Sequence, residues 1–308
     1  FGAKPVGTGP FEYESGKPAE AYIVKRFDDY WGEKALLDKV QITMLADESS
    51  RINLYNAGEV DIMSLNDSNN ILKFGETEGC EVKKVAGAGC YYLGMNLEKE
   101  PFTNPKVREA LKYAINYDEM LNDYWRGTLF PPTGYVQSYC IYASTAEESG
   151  FTYEYNPEKA KQLLAEAGYP NGYTIDVPLS SKYPFKTKIA TAIQDQARAA
   201  GFTLNLSEVD GAAYNDMDLG GQIPLGVSNW YVDYIDPDGM IYQRFAPIVT
   251  MTHSSKYQNP EFDALLNEGR QITDESKRQE IYSKADQMIT RQDYAAIPIC
   301  HETKYYLM

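Results

Sequence analysis

The chain has 308 residues, 43% hydrophobic and 24% charged, the proportions of a globular protein with room for two domains or one large one. Its 44 acidic residues outnumber 29 basic ones, and a net charge of −15 repels phosphate backbones and anionic lipid, which argues against nucleic acid or a membrane surface as partner. No apolar run approaches the ~20 residues of a membrane span.

Up to about residue 90 the pattern is mainly that of strands. Ala21-Tyr22-Ile23-Val24 and Lys39-Val40-Gln41-Ile42-Thr43-Met44 are β-branched or aromatic runs between polar turns. A short helix is predicted over residues 49–57, closed by Gly58. Glu59-Val60-Asp61-Ile62 then starts another strand. Two more are predicted over residues 81–85 and 90–96, joined by Ala86-Gly87-Ala88-Gly89 as a tight turn or a crossing between lobes.

Three helices start alike, at Asn104-Pro105, Asn156-Pro157 and Asn259-Pro260, each with Asn to cap and Pro at the first helical position. Their apolar stripes, such as Val107, Ala110, Leu111 and Ala114, have core spacing. From Tyr173 the pattern turns to α/β: strand over 173–179, helix over 186–200 stopped by Gly201, strand over 202–209, short helix over 212–219, strand over 223–227. Such alternation implies parallel strands with right-handed crossovers. A helix over 276–290 and a strand over 295–299 close the chain.

Asn229-Trp230-Tyr231-Val232-Asp233-Tyr234-Ile235-Asp236-Pro237-Asp238-Gly239 is the most informative segment. In a parallel sheet it would follow a strand's carboxyl end, where ligands bind. Aromatic faces beside a carboxylate suit a ligand with apolar parts and a cationic amine. The same residues also suit an ordinary surface turn, because Asp, Pro and Gly favour turns on backbone grounds alone. Tyrosine, 26 residues in all, is common on recognition surfaces as well as in cores.

Enzyme and metal motifs fail one by one. Asp236-x-Asp238-Gly239 is a fragment of a calcium loop without the later bidentate Glu. Gly87-Ala88-Gly89 is followed by no helix, which excludes a dinucleotide fingerprint. Ser180-Ser181-Lys182 and the two histidines, His253 and His301, offer no nucleophile–base–orienter set. The cysteines (80, 90, 140 and 300) form no CxxC pair and allow three connectivities. The chain opens on Phe1, so either a precursor was processed or the sequence starts inside a longer protein.

As a whole the sequence resembles the middle section of the family 5 extracellular solute-binding proteins, the peptide-binding components of ABC importers, most of all the oligopeptide-binding branch. The resemblance is carried by Gly7-Thr8-Gly9-Pro10-Phe11, Tyr30-Trp31-Gly32, Ala57-Gly58-Glu59-Val60-Asp61-Ile62, Pro101-Phe102-Thr103-Asn104-Pro105, Leu163-Leu164-Ala165-Glu166-Ala167-Gly168 and Trp230…Asp233-Tyr234…Asp236-Pro237. It implies an α/β, periplasmic-binding-protein-like type II fold with two lobes. Residues 1–89, with 304–308 returning, would form an incomplete lobe I, and 90–303 lobe II, with an N-terminal part and a short C-terminal piece missing. Asp233 would pair with the peptide's α-amino group while the main chain of Asn229, Trp230, Tyr231 and Val232 hydrogen-bonds the peptide. Tyr91 and Tyr92 would line the cleft, and Trp125 and Arg126 would face the peptide's C-terminus. The implied protein is an extracytoplasmic monomer, periplasmic or a surface lipoprotein, that serves a membrane permease and uses no cofactor or metal. Alternatives are a receptor for an oligosaccharide or nickel complex, and a hydrolase using Asp233, Asp236 and Asp238.

Overall fold

The computed structural model describes residues 5–247 and 255–308; Phe1 and His253 lie outside the described residues. The chain divides into two compact units, Phe1–Lys83 with Tyr305–Met308, and Lys84–Lys304.

In the first unit β1 (Phe11–Lys17), β2 (Ala21–Arg26) and β3 (Lys39–Thr43) form an antiparallel sheet, with Val24 opposite both Tyr13 and Val40. Helix α1 (Glu48–Asn56) starts where the Asp47 carboxylate accepts from Ser50 N, and ends before Gly58 at φ +72°. The strand expected from Glu59 does not form there. Only β4 (Met63–Leu65) is extended, paired antiparallel with residues 305–307. Helix α2 (Ser68–Gly75), unforeseen, is capped by Asp67 and buries Ile71 and Phe74, three apart on one face. These two, with Met63, Leu65, Tyr305 and Leu307, are the buried apolar cluster of this unit.

The second unit begins within β5 (Val82–Met95), one unbroken strand. The two strands expected here, with a turn at residues 86–89, are corrected: the glycines serve close approach, not turning. A Cβ on Gly87 would lie 2.2 Å from Glu302 Oε2, and one on Gly89 2.7 Å from the Tyr231 ring. There follow α3 (Pro105–Tyr113), a π-helical turn (Glu119–Tyr124), α4 (Ala146–Ser149), α5 (Pro157–Glu166), β6 (Tyr173–Ser180), α6 (Pro184–Ala199), β7 (Phe202–Val209) and α7 (Gly211–Leu219). Next come β8 (Leu225–Tyr231), α8 (Pro237–Phe245), α9 (Pro260–Gly269), α10 (Glu275–Gln287), a second π-helical turn (Met288–Gln292) and β9 (Ala296–Leu307). Asn104, Asn156 and Asn259 cap their helices as expected.

Strands β6 and β7 pair in parallel, whereas β8 pairs antiparallel with β5 and is an edge strand of its sheet. The parallel setting expected for β8 is therefore corrected. So is its end: the strand carries Asn229, Trp230 and Tyr231, and the turn expected at Asp236-Pro237 is the start of α8, with Asp236 accepting from Asp238 N.

Two apolar clusters fill this unit. One joins β5, α3, β6, α6 and β7 through Phe102, Leu111, Ile189, Ile193 and Phe202. The other joins α8, α9 and α10 through Tyr135, Phe245, Tyr257, Phe262 and Tyr282; several of these rings meet edge to face, as at Tyr135–Phe245 (5.1 Å) and Tyr257–Phe262 (5.0 Å). Tyr117, Tyr135 and Tyr282 are among the largest fully buried side chains, so much of the tyrosine is core.

Candidate functional site

Strand alternation decides which residues of β5 and β8 reach a common surface. Gly89 stands opposite Tyr231, Cys90 opposite Trp230 and Tyr91 opposite Asn229. Successive side chains on a strand face opposite sides, so Tyr91, Asn229 and Tyr231 share one face, and Trp230 and Tyr92 share the other. On the first face the Tyr91 and Tyr231 hydroxyls are 3.4 Å apart, and the bare Gly89 backbone makes room for the Tyr231 ring. Phe185, at the start of α6, stands edge-on to Tyr91 at 4.8 Å, and Trp125 follows at 6.0 Å from Phe185. The result is a row: Tyr231, Tyr91, Phe185, Trp125.

Burial corrects two expectations. Tyr92 is 2% exposed, packs on Tyr135, and its hydroxyl accepts from Arg244 Nε at 2.6 Å. It cannot line a cleft, because the alternation that presents Tyr91 turns Tyr92 into the core. Trp125 is 5% exposed and supports the row from beneath through Phe185. Trp230 is half-buried; its indole N–H donates to Gly239 O at 2.8 Å and Arg244 lies 5.5 Å from its ring. Arg126 is exposed, at φ +53° after the first π turn.

Beyond the strand, Val232 N donates to Ala88 O at 2.8 Å. Asp233 is exposed and makes no side-chain hydrogen bond or ion pair among the described residues. The other two carboxylates of the segment are occupied. Asp236 caps α8, and both of its oxygens accept from Arg278 Nη2, at 2.9 and 2.8 Å. Asp238 is buried and accepts from the hydroxyls of Tyr234 (2.7 Å) and Tyr282 (3.1 Å). These are structural positions, so the acid–base trio of a hydrolase is not assembled. No group of three or more His, Cys, Asp or Glu among the described residues could hold a metal, and all four cysteines are free thiols.

Three participants were not foreseen. Phe185 sits in Tyr183-Pro184-Phe185-Lys186, a Pro-marked helix start directly after a strand, which was the available signal. Glu302, on β9, accepts from Ala88 N at 2.8 Å, and its charge adds to burial in holding the Tyr231 phenol above its ordinary range. Lys186 lies 4.6 Å from the Tyr183 ring; burial, then the charge of Arg244, pushes its ammonium down to about 8. Glu302 has no sequence neighbour that announces it.

An aromatic row beside an edge strand, with an exposed carboxylate beyond it, has the chemistry to hold a ligand with apolar parts and a cationic group. Among solved structures the chain is similar to the ABC transporter-associated periplasmic binding protein DppA from Helicobacter pylori in complex with the peptide STSA, at 28% identity and a TM-score of 0.82, over 99% of this chain and 59% of that one. The fold is that of the periplasmic binding proteins. Curated relatives include heme-binding protein A of Haemophilus influenzae, 29% identical over 98% of this chain and 56% of its own length. Another is the dipeptide-binding protein of Escherichia coli K12, 28% identical over 98% of this chain and 57% of its own. Residues 1–248 match the sequence profile described as bacterial extracellular solute-binding proteins, family 5 Middle, and the chain belongs to that family. It spans between half and two thirds of the length of these relatives.

Proposed function

We propose that the chain is part of the substrate-binding receptor of an ABC importer, captures peptides outside the cytoplasm and delivers them to a membrane permease. The observation that carries the reading is the pairing of the edge strand β8 with the exposed, uncommitted Asp233 two residues beyond its end. An extended peptide can add to a free strand edge by main-chain hydrogen bonds, while pockets beside it choose side chains. Asp233 would take the peptide's α-amino group, and Tyr91, Tyr231 and Phe185 would meet its first side chains. The two compact units would be the lobes of a two-lobed receptor. The dipeptide-binding relative and the neighbour in complex with a peptide support the same reading.

A half-made desolvated charge pair costs about 3–5 kcal/mol. In the full-length protein Asp233→Ala should therefore weaken peptide binding by more than about a hundredfold. Calorimetry that finds the affinity unchanged ends this role for Asp233. A saccharide receptor is the second reading, favoured by the flat faces of Tyr91 and Tyr231; ligand recovered with the purified full-length protein and identified by mass spectrometry separates the two.

A further inference from the structure

A cavity of about 400 Å³ opens in the second unit away from β8, between α3, the segment 150–154 and the second π-helical turn. Its size is that of a small-ligand pocket. Lys112, in the last turn of α3, lines it and is 5% exposed. Its ammonium carries three donors, yet among the described residues it makes one hydrogen bond, to Thr152 Oγ1 at 2.7 Å, and lies 4.7 Å from the Tyr113 ring centroid. Among the described residues no carboxylate comes within 4 Å of it. A buried cation is expected to be paired, because an ammonium taken out of water without an anion is costly.

A second cation stands on the same wall. Arg291 lines the cavity, with Nη1 held by Ser149 O at 3.0 Å and packed so tightly on Gly150 that a Cβ there would meet it at 2.4 Å. Its guanidinium is thus fixed in direction while its side chain remains exposed to solvent. The rest of the wall is mixed: the rings of Phe151, Tyr113 and Tyr294, the last in the left-handed backbone region at φ +48°, stand beside the polar side chains of Gln287, Thr290 and Gln292. Glu154 stands at the exposed rim.

We infer that this cavity is a second ligand site, which takes a small organic oxyanion, a carboxylate or a phosphate ester, with its charged head on Lys112 and Arg291 and an aromatic or alkyl body against Phe151 and Tyr294. The vacant Lys112 donors and the pinned Arg291 fork match an oxyanion, and the aromatic wall matches a body that inorganic ions lack. The titration of Lys112 agrees with this vacancy. Burial pushes its ammonium down to about 8; Lys159 and Arg291 push the same way, and Glu154 and Glu109 oppose. An arriving anion would oppose this shift and keep the ammonium charged to higher pH.

The test is calorimetric titration of the 308-residue chain with benzoate, phenyl phosphate, inorganic phosphate and benzylamine. Saturable binding of an aromatic anion, with inorganic phosphate weaker and benzylamine silent, is the expected result. Benzoate alone would identify a carboxylate site and phenyl phosphate alone a phosphate-ester site. Lys112→Met and Arg291→Gln should each weaken the bound anion at least about tenfold, since a charge-assisted hydrogen bond is lost. Should Lys112→Met fail to fold, Arg291→Gln, at an exposed position, decides alone. Absence of saturable heat with both aromatic anions overturns the inference. So does benzylamine binding as well as benzoate, or affinity unchanged in Arg291→Gln.

Discussion

The two units have very different interiors. In the second, helices and strands meet over two large clusters, and residues such as Phe102, Phe202 and Phe262 are fully removed from water. In the first, six side chains make the buried cluster among the described residues, α1 only packs Ile52 and Tyr55 partly buried against it, and Trp31, Leu36, Leu37 and Ile62 stay mostly exposed. Hydrophobic stabilisation scales with the apolar area buried, at about 25 cal/mol per Å². Equal regularity of secondary structure therefore does not mean equal stability. The three-stranded sheet of the first unit is held mainly by its own ladder and by surface ion pairs such as Lys25–Glu12 and Lys39–Glu14, which contribute little.

The largest expected effect is a direct measure of that contrast. Amide hydrogens of β6 and β7 should exchange at least about a thousandfold more slowly than those of β1 to β3, a difference of about 4 kcal/mol in local opening. Equal protection in the two sheets would break the comparison.

A smaller effect probes the strand that leads into the second unit. Gly87→Ala puts a Cβ onto the Glu302 carboxylate and pushes it off Ala88 N, leaving a part-buried donor without its acceptor. We expect a loss of about 1–3 kcal/mol in denaturant unfolding of the second unit. A neutral Gly87→Ala would mean that Glu302 moves aside freely.

The smallest net effect is with pH, because two buried groups oppose each other. Asp286 accepts from Tyr135 N and Val136 N, at 2.9 and 2.8 Å, and burial pushes its carboxyl up to about 6 from an ordinary 3.8. The folded state then holds a proton that the unfolded state has lost, and this contribution is lost as pH rises from about 4 to 6. His301, 3.1 Å from Gly134 O, is pushed by burial down to about 4 from 6.5. Here the unfolded state binds the extra proton, so stability is gained as pH rises from about 4 to 6.5. Each contribution is on the order of 1–3 kcal/mol. The intact chain should be nearly flat across this window, His301→Gln should lose stability as pH rises, and Asp286→Asn should gain it. Melting temperatures recorded from pH 4 to 7 check all three, and parallel curves would refute the pairing.

Local signals were legible in the sequence and tertiary ones were not. The three Asn-Pro helix starts stand where expected because a cap and a first-turn proline act within four residues. Asp236-Pro237 is the same signal, yet its crowding with Gly239 and aromatics gave it the look of a turn. Gly87 and Gly89 misled for a different reason: what they accommodate, Glu302 and Tyr231, lies far along the chain. The antiparallel setting of β8 is likewise a choice made by β5, which no local pattern reports. Of the candidate site, Asp233, Tyr91 and Tyr231 could be found from the resemblance. The burial of Tyr92 followed from strand alternation alone, since adjacent strand residues cannot share a face. Phe185, Glu302 and Lys186 come from distant elements and became visible only in three dimensions.

The loop that bears Asp233 is short and tied at both ends: Val232 N is fastened to Ala88 O, and Asp236 is locked to Arg278 at the head of α8. The Trp230 indole, fastened to Gly239 O, braces the same span from inside. Such a loop has already lost most of its conformational freedom when the chain folds, so whatever meets this carboxylate has little disorder left to remove.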